Sequence, residues 1–139
     1  MGKSRILLVE DSPQILELAN RLMALHCEVL LATSLEVGLW TFNNNMKRIR
    51  IVLLDASLDA RQNCDTLPLA MAIKAAKDKG DFHGEAIAIT TNLDHRQTLV
   101  DTGCLDPLHF LGKNNSSTIK LDVFKKIVEL AKGQCLQQH

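Results

Sequence analysis

The chain has 139 residues, enough for one domain with a sizeable core and too few for a second of ordinary size. Sixteen basic and sixteen acidic residues cancel, so no net field draws the protein onto nucleic acid or an anionic membrane, and neither is expected as a direct partner. Cys27, Cys64, Cys104 and Cys135 form no CxxC pair and have no His at zinc spacing. They read as reduced thiols of a cytoplasmic protein, in keeping with the lack of a secretory leader and with apolar runs far short of the ~20 residues a spanning helix needs.

The first element is a strand, Ile6 to Val9, inside the stretch RILLVEDSP, which ends in two adjacent acids, Glu10 and Asp11. Ser12 is a natural N-cap with Pro13 in the first helical position, and Ile15, Leu18, Ala19, Leu22 and Leu25 form one apolar face. Glu28 to Ala32 gives a second strand. Leu35, Leu39, Phe42 and Met46 then repeat at helical spacing after Ser34, with Trp40 packing on the same helix and three asparagines fraying its end. Lys47, Arg48 and Arg50 read as a solvated connection to the third strand, Ile51 to Leu54.

Leu69, Ala70, Ile73 and Ala76 mark a third helix, closed by Lys79 and Gly80. A fourth strand runs from Ala86 to Ile89, and a fourth helix from Asp94 to Thr102 with few apolar anchors. Leu108 to Leu111 is read as a fifth strand. Leu121, Phe124, Ile127, Val128 and Ala131 define the last helix, capped by Ser116 or Ser117 and followed by Gly133. The domain is accordingly placed at residues 1–133, with residues 134–139 as a loose tail.

Strand and helix alternate five times, and the aliphatic runs suit strands covered on both faces. The expected fold is therefore a three-layer α/β domain with a five-stranded parallel sheet and five helices. Ligands in such folds sit beyond the carboxyl ends of the strands. Strand one brings Glu10 and Asp11 to that edge, strand three Asp55, strand four Thr90 and Thr91, and strand five Lys113. Three acids in one crevice repel one another, and a hard divalent cation such as Mg²⁺, which prefers oxygen ligands, is the simplest remedy. One carboxylate can then act as a nucleophile toward phosphorus, with Lys113 supplying a point charge to phosphoryl oxygens and Thr90 a hydrogen bond.

LLVEDSP, IVLLD, AIAITT and HFLGK, in that order over nearly the whole chain, resemble the receiver domain of two-component response regulators, a CheY-like, flavodoxin-like fold of strand order 2-1-3-4-5. The resemblance implies that Glu10, Asp11 and Asp55, with the main-chain carbonyl of Ser57, hold Mg²⁺. It implies further that Asp55 takes a phosphoryl group from a sensor histidine kinase or phosphotransfer protein, and that Thr90 and Lys113 complete the site. Thr90 and Phe110 would be the switch residues, and a downstream effector protein would read the altered surface. Such a domain phosphorylates and dephosphorylates itself and is not an enzyme in the turnover sense. A homodimer through the last helix stays open.

Three positions depart from the family's pattern. Asn114 follows the lysine where Pro is usual, Asp59 stands where Pro often follows the acceptor, and Thr91 replaces a small residue at the entrance to the site. Asn114, Asp59 and the thinly apolar fourth helix motivate the alternative reading, a receiver-like scaffold that binds partners without being phosphorylated. Two other phosphate chemistries fail on spacing. A P-loop needs Gly where Pro107 stands and Ser or Thr directly after Lys113, and a haloacid-dehalogenase-type phosphatase needs Asp where Ser57 stands. The five histidines show no ligand spacing and read as structural or solvated.

Overall fold

The computed structural model describes residues 3–58 and 63–137. Strands β1 (Ser4–Val9), β2 (Cys27–Ala32), β3 (Ile49–Leu54) and β4 (Glu85–Ala88) form one parallel sheet in the order β2-β1-β3-β4. Helices α1 (Pro13–Met23), α2 (Leu35–Asn45), α3 (Leu67–Asp78) and α4 (Leu93–Asp101) follow these strands in turn, and α5 (Pro107–Leu111) and α6 (Ile119–Gln137) complete the chain.

Side-chain alternation along each strand divides the core into two layers. Leu7, Val9, Val52, Leu54, Ala86 and Ala88 point to the face covered by Phe42 of α2, by Leu69 and Ile73 of α3 and by Leu99 of α4. Ile6, Leu8, Leu53, Ile87 and Ile89 point to the other face, against Ala19 and Met23 of α1 and Val123, Phe124 and Ile127 of α6. Both strand faces are thus buried, which is why the strands read as continuous apolar runs rather than as alternating ones. Ser12 and Ser34 cap α1 and α2 by accepting from the N–H groups of Ile15 and Val37. Trp40, expected to pack, is 66% exposed, because it falls off the stripe that Leu35, Leu39 and Phe42 turn toward the sheet.

The fifth strand is not formed. Residues 108–111 belong instead to α5, so the described residues hold four strands and six helices rather than five of each. Asp106 caps this helix, its carboxylate accepting from the Leu108 N–H at 2.8 Å; Pro107 occupies its first turn, and Gly112 closes it at φ 69°, a conformation favourable to glycine. Asp-Pro ahead of the four residues LHFL and Gly behind them is a helix signature. The run itself is too short for period 2 and period 3.6 to be told apart. All that remains of a fifth strand is one parallel bridge between Ile87 and Leu105: the Leu105 N–H donates to the Ala86 carbonyl at 2.7 Å, and the Leu105 carbonyl accepts from the Ala88 N–H at 3.1 Å. Pro107, two residues on, has no N–H with which to extend the ladder.

The last helix runs through Gly133 to Gln137, beyond the point at which a loose tail was expected to begin. Residues 138 and 139 and Asp59 lie outside the described residues. Among the described residues no helix is long and apolar enough to cross a membrane.

Candidate functional site

The carboxyl ends of β1 and β3 lie side by side, because the Asp55 N–H donates to the Val9 carbonyl at 3.0 Å, while the Glu10 N–H donates to the Ala32 carbonyl of β2 at 3.0 Å. This pairing brings Glu10, Asp11 and Asp55 together, with one carboxylate oxygen from each lying within 4.8 Å of the others. Glu10 is 1% exposed and Asp55 8% exposed, whereas Asp11 faces solvent. One Glu10 oxygen accepts from the Ser12 N–H at 3.2 Å, and one Asp55 oxygen from the Ala56 N–H at 2.9 Å. The loop after β3 is pinned by Thr66, whose N–H and hydroxyl both donate to the Ala56 carbonyl. Ser57, the expected main-chain ligand, is half-buried in that loop.

Among the described residues, the cation that meets these acids is Lys120, not Lys113. The Lys120 ammonium donates to Glu10 Oε2 at 2.7 Å and to Asp55 Oδ2 at 3.3 Å from the first turn of α6. Lys113 points elsewhere: it pairs with Asp122 at 3.2 Å, and its side chain is 52% exposed. The cause is the missing strand. A fifth strand would have delivered residue 113 to the sheet edge; with α5 in its place, the chain reaches the pocket seven residues later, at the start of α6. A faint signal for Lys120 exists in the sequence, a lysine set between Ile119 and Val123, both buried. Nothing in the sequence ranks it above Lys113.

Thr90 lies just past β4 and is 4% exposed. The neighbouring Ile89 N–H donates to the Leu54 carbonyl at 2.9 Å, so Thr90 and Asp55 follow adjacent strand ends. The Thr90 hydroxyl accepts from the Asn92 N–H at 3.2 Å, and its carbonyl accepts two bonds from Arg96. Thr91 is exposed. Phe110 lies on α5, half-buried against the Ile87 and Ile127 side of the core, where it lines a cavity of about 270 Å³. Asn114 follows Lys113 through a trans peptide bond, since no cis bond occurs among the described residues.

Electrostatics follow from this geometry. Burial raises the Glu10 pKa, and the Asp55 charge adds to the rise, against the lowering effect of the Lys120 bond. Burial alone would lower the Lys120 pKa, but the hydrogen bond to Glu10 and the charges of Asp55 and Glu10 outweigh it and hold the ammonium above its usual value. Asp122 is held low by the Ser116 hydroxyl and then by Lys113.

No protein-family model matches the sequence, and no curated relative does either. Solved structures give the decisive comparison. A response regulator receiver domain protein (CheY-like) from Methanospirillum hungatei JF-1 superposes with a TM-score of 0.63 at 20% identity, covering 98% of this chain and 99% of that one. The phosphorylated cyanobacterial phytochrome response regulator RcpA does so with 0.67 at 18% identity, covering 96% of each. The receiver domain of NtrX from Brucella abortus does so with 0.64 at 22% identity, covering 91% of this chain and 96% of that one. The chain has the receiver-domain fold. Within that fold the acidic trio occupies the carboxyl edge of the central strands, and its donors suit a hard divalent cation: all three are carboxylate oxygens, no His or Cys joins the group among the described residues, and Asp11 opens it to solvent. Glu10, Asp11 and Asp55 are the residues that could hold such an ion.

Proposed function

We propose that this receiver-fold chain is a phosphoacceptor of two-component signalling, with Asp55 as the accepting residue. The observation that carries the reading is Asp55 itself, a carboxylate 8% exposed at a strand end, within 4.8 Å of two more acids and in contact with an ammonium at 3.3 Å. A histidine kinase or phosphotransfer protein presents a phosphohistidine. An Asp55 oxygen attacks phosphorus, the new P–O bond forms as the P–N bond breaks, and the leaving imidazole takes up a proton. Mg²⁺, when bound by Glu10, Asp11, Asp55 and the Ser57 carbonyl, supplies charge neutralisation for the transferring group.

Lys120 turns its point charge to a phosphoryl oxygen, the part expected of Lys113, whose ammonium pairs with Asp122 instead. Thr90 donates its hydroxyl to another. The acyl phosphate is later hydrolysed at the same site, so the protein modifies itself and is not an enzyme in the turnover sense. Its product is a shifted balance between two conformations, read by an effector protein at the surface of α4, α5 and α6, with Phe110 as the aromatic reporter of the change. We place this activity in the cytoplasm and leave a homodimer through α6 as a further mode of output.

Incubation with acetyl phosphate and Mg²⁺, followed by intact-mass measurement, tests the reading. A gain of one phosphoryl group that vanishes in Asp55→Asn is expected. Unlabelled wild type that also ignores Mg²⁺ and beryllofluoride would favour the second reading, a scaffold that is never phosphorylated. One observation supports that alternative: the Lys120 ammonium lies against both Glu10 and Asp55 and offsets part of their charge from within the chain.

A further inference from the structure

Arg96 is a buried charge to which phosphotransfer gives no role. It is 6% exposed and sits in the first turns of α4, near the positive end of the helix dipole. Among the described residues no carboxylate pairs with it; its guanidinium donates from Nε at 3.2 Å and from Nη2 at 3.0 Å to a single acceptor, the Thr90 carbonyl. A desolvated cation without a counter-ion is costly, so packing alone gives no reason for an arginine here.

The sheet edge supplies one. The Ile89 N–H faces β3, whereas the peptide groups of Ala86 and Ala88 face outward to Leu105. Alternation along the strand turns the Thr90 carbonyl outward as well. Leu105 satisfies the edge at Ala86 and Ala88, Pro107 brings no further N–H, and α5 leads the chain away. The side chain of Arg96 thus takes up the edge beyond Leu105, which a fifth strand would have covered with backbone.

We propose that Arg96 is a positioning residue for Thr90, standing in for the absent fifth strand and fixing the hydroxyl that closes on the phosphoryl group. The Thr90 hydroxyl accepts from the Asn92 N–H and so keeps its own hydrogen for another acceptor. With its carbonyl gripped by Arg96 on α4, Thr90 moves only if α4 moves, which links the phosphoryl group to the helix that carries the message. This inference rests on the phosphoacceptor reading.

The test is a titration of the full chain by ¹⁵N–¹H chemical shifts, first with Mg²⁺ and then with beryllofluoride, the stable phosphoryl mimic. Arg96→Met is expected to leave Mg²⁺ affinity within about twofold, because the acidic trio is untouched, and to weaken beryllofluoride on the order of tenfold, the loss of a hydrogen bond from a charged donor. Arg96→Lys, which keeps the charge, should fall between and serves if the Met variant does not fold. In a Thr90→Val background the Arg96→Lys effect should disappear, since the arginine acts through the threonine. Parallel loss of both ligands, or full additivity with Thr90→Val, would overturn the assignment. Wild type that binds both ligands while the Arg96 variants match it would overturn this inference alone; wild type that binds neither would overturn the phosphoacceptor reading and this one with it.

Discussion

Replacing Lys120 with methionine should destabilise the metal-free protein far more than the same change at Lys113. Lys120 lies 2.7 Å from Glu10 and 3.3 Å from Asp55, and its own side chain is 17% exposed. At an effective dielectric of about 20, Coulomb's law gives a gross attraction of about 6 kcal/mol for the shorter contact and about 5 kcal/mol for the longer. Desolvation of the three ions offsets most of this, but it is not recovered when only the lysine is removed. Two poorly solvated carboxylates then face each other, and such losses run to about 3–5 kcal/mol. The residual exposure of Lys120 puts the expected cost near the lower end, about 3 kcal/mol. Lys113 pairs with Asp122 through a side chain that is 52% exposed, and the loss of that contact should cost less than about 1 kcal/mol. Urea unfolding in EDTA, followed by far-UV circular dichroism, measures both. The Lys120→Met loss should shrink when Mg²⁺ is added, because a cation that fits the acidic trio replaces the missing charge. Equal losses at the two lysines, or a Lys120→Met loss that Mg²⁺ leaves unchanged, would refute the reasoning.

Further consequences can be measured separately. Gly84→Ala would place a Cβ 2.4 Å from the Arg50 carbonyl oxygen, so β4 must shift away from β3; a loss of about 1–3 kcal/mol in urea unfolding is expected. The Asp122 pKa is depressed below its ordinary 3.8, so its contribution is present above that value and is lost as the pH falls through the folded pKa. Asp122→Asn should therefore flatten the acid limb of the stability profile and leave the alkaline limb unchanged. Burial pushes the Cys104 thiol up to about 12, and iodoacetamide at pH 8 should spare it in the native protein while alkylating it in urea, as read by peptide mass mapping.

Most of the architecture was legible from the residues in order. Continuous aliphatic runs ending in Glu10 and Asp11 and in Asp55 reveal both-face burial, because a sheet covered by helices leaves no side for polar alternation. Ser12-Pro13 and Ser34 announce helix starts, because caps are local chemistry. The acidic trio was equally legible, since the carboxyl ends of a parallel sheet meet at one edge, and two neighbouring strands, β1 and β3, carry Glu10, Asp11 and Asp55 there.

The fifth strand and the lysine were different. LHFL satisfies a strand or a helix equally over four residues, and the deciding information was Asp106, Pro107 and Gly112 on either side of it. Once that segment coils, a short shift in the path of the chain exchanges Lys113 for Lys120 at the pocket, 110 residues from its partner Glu10. Which of two lysines reaches an acid that distant is settled by how α6 seats on the sheet, an energy spread over many apolar contacts and carried by neither lysine's neighbours in sequence. The local elements and the convergence of acids were thus written in the chain, whereas the choice of cation and the arginine that closes the sheet edge arose only from packing.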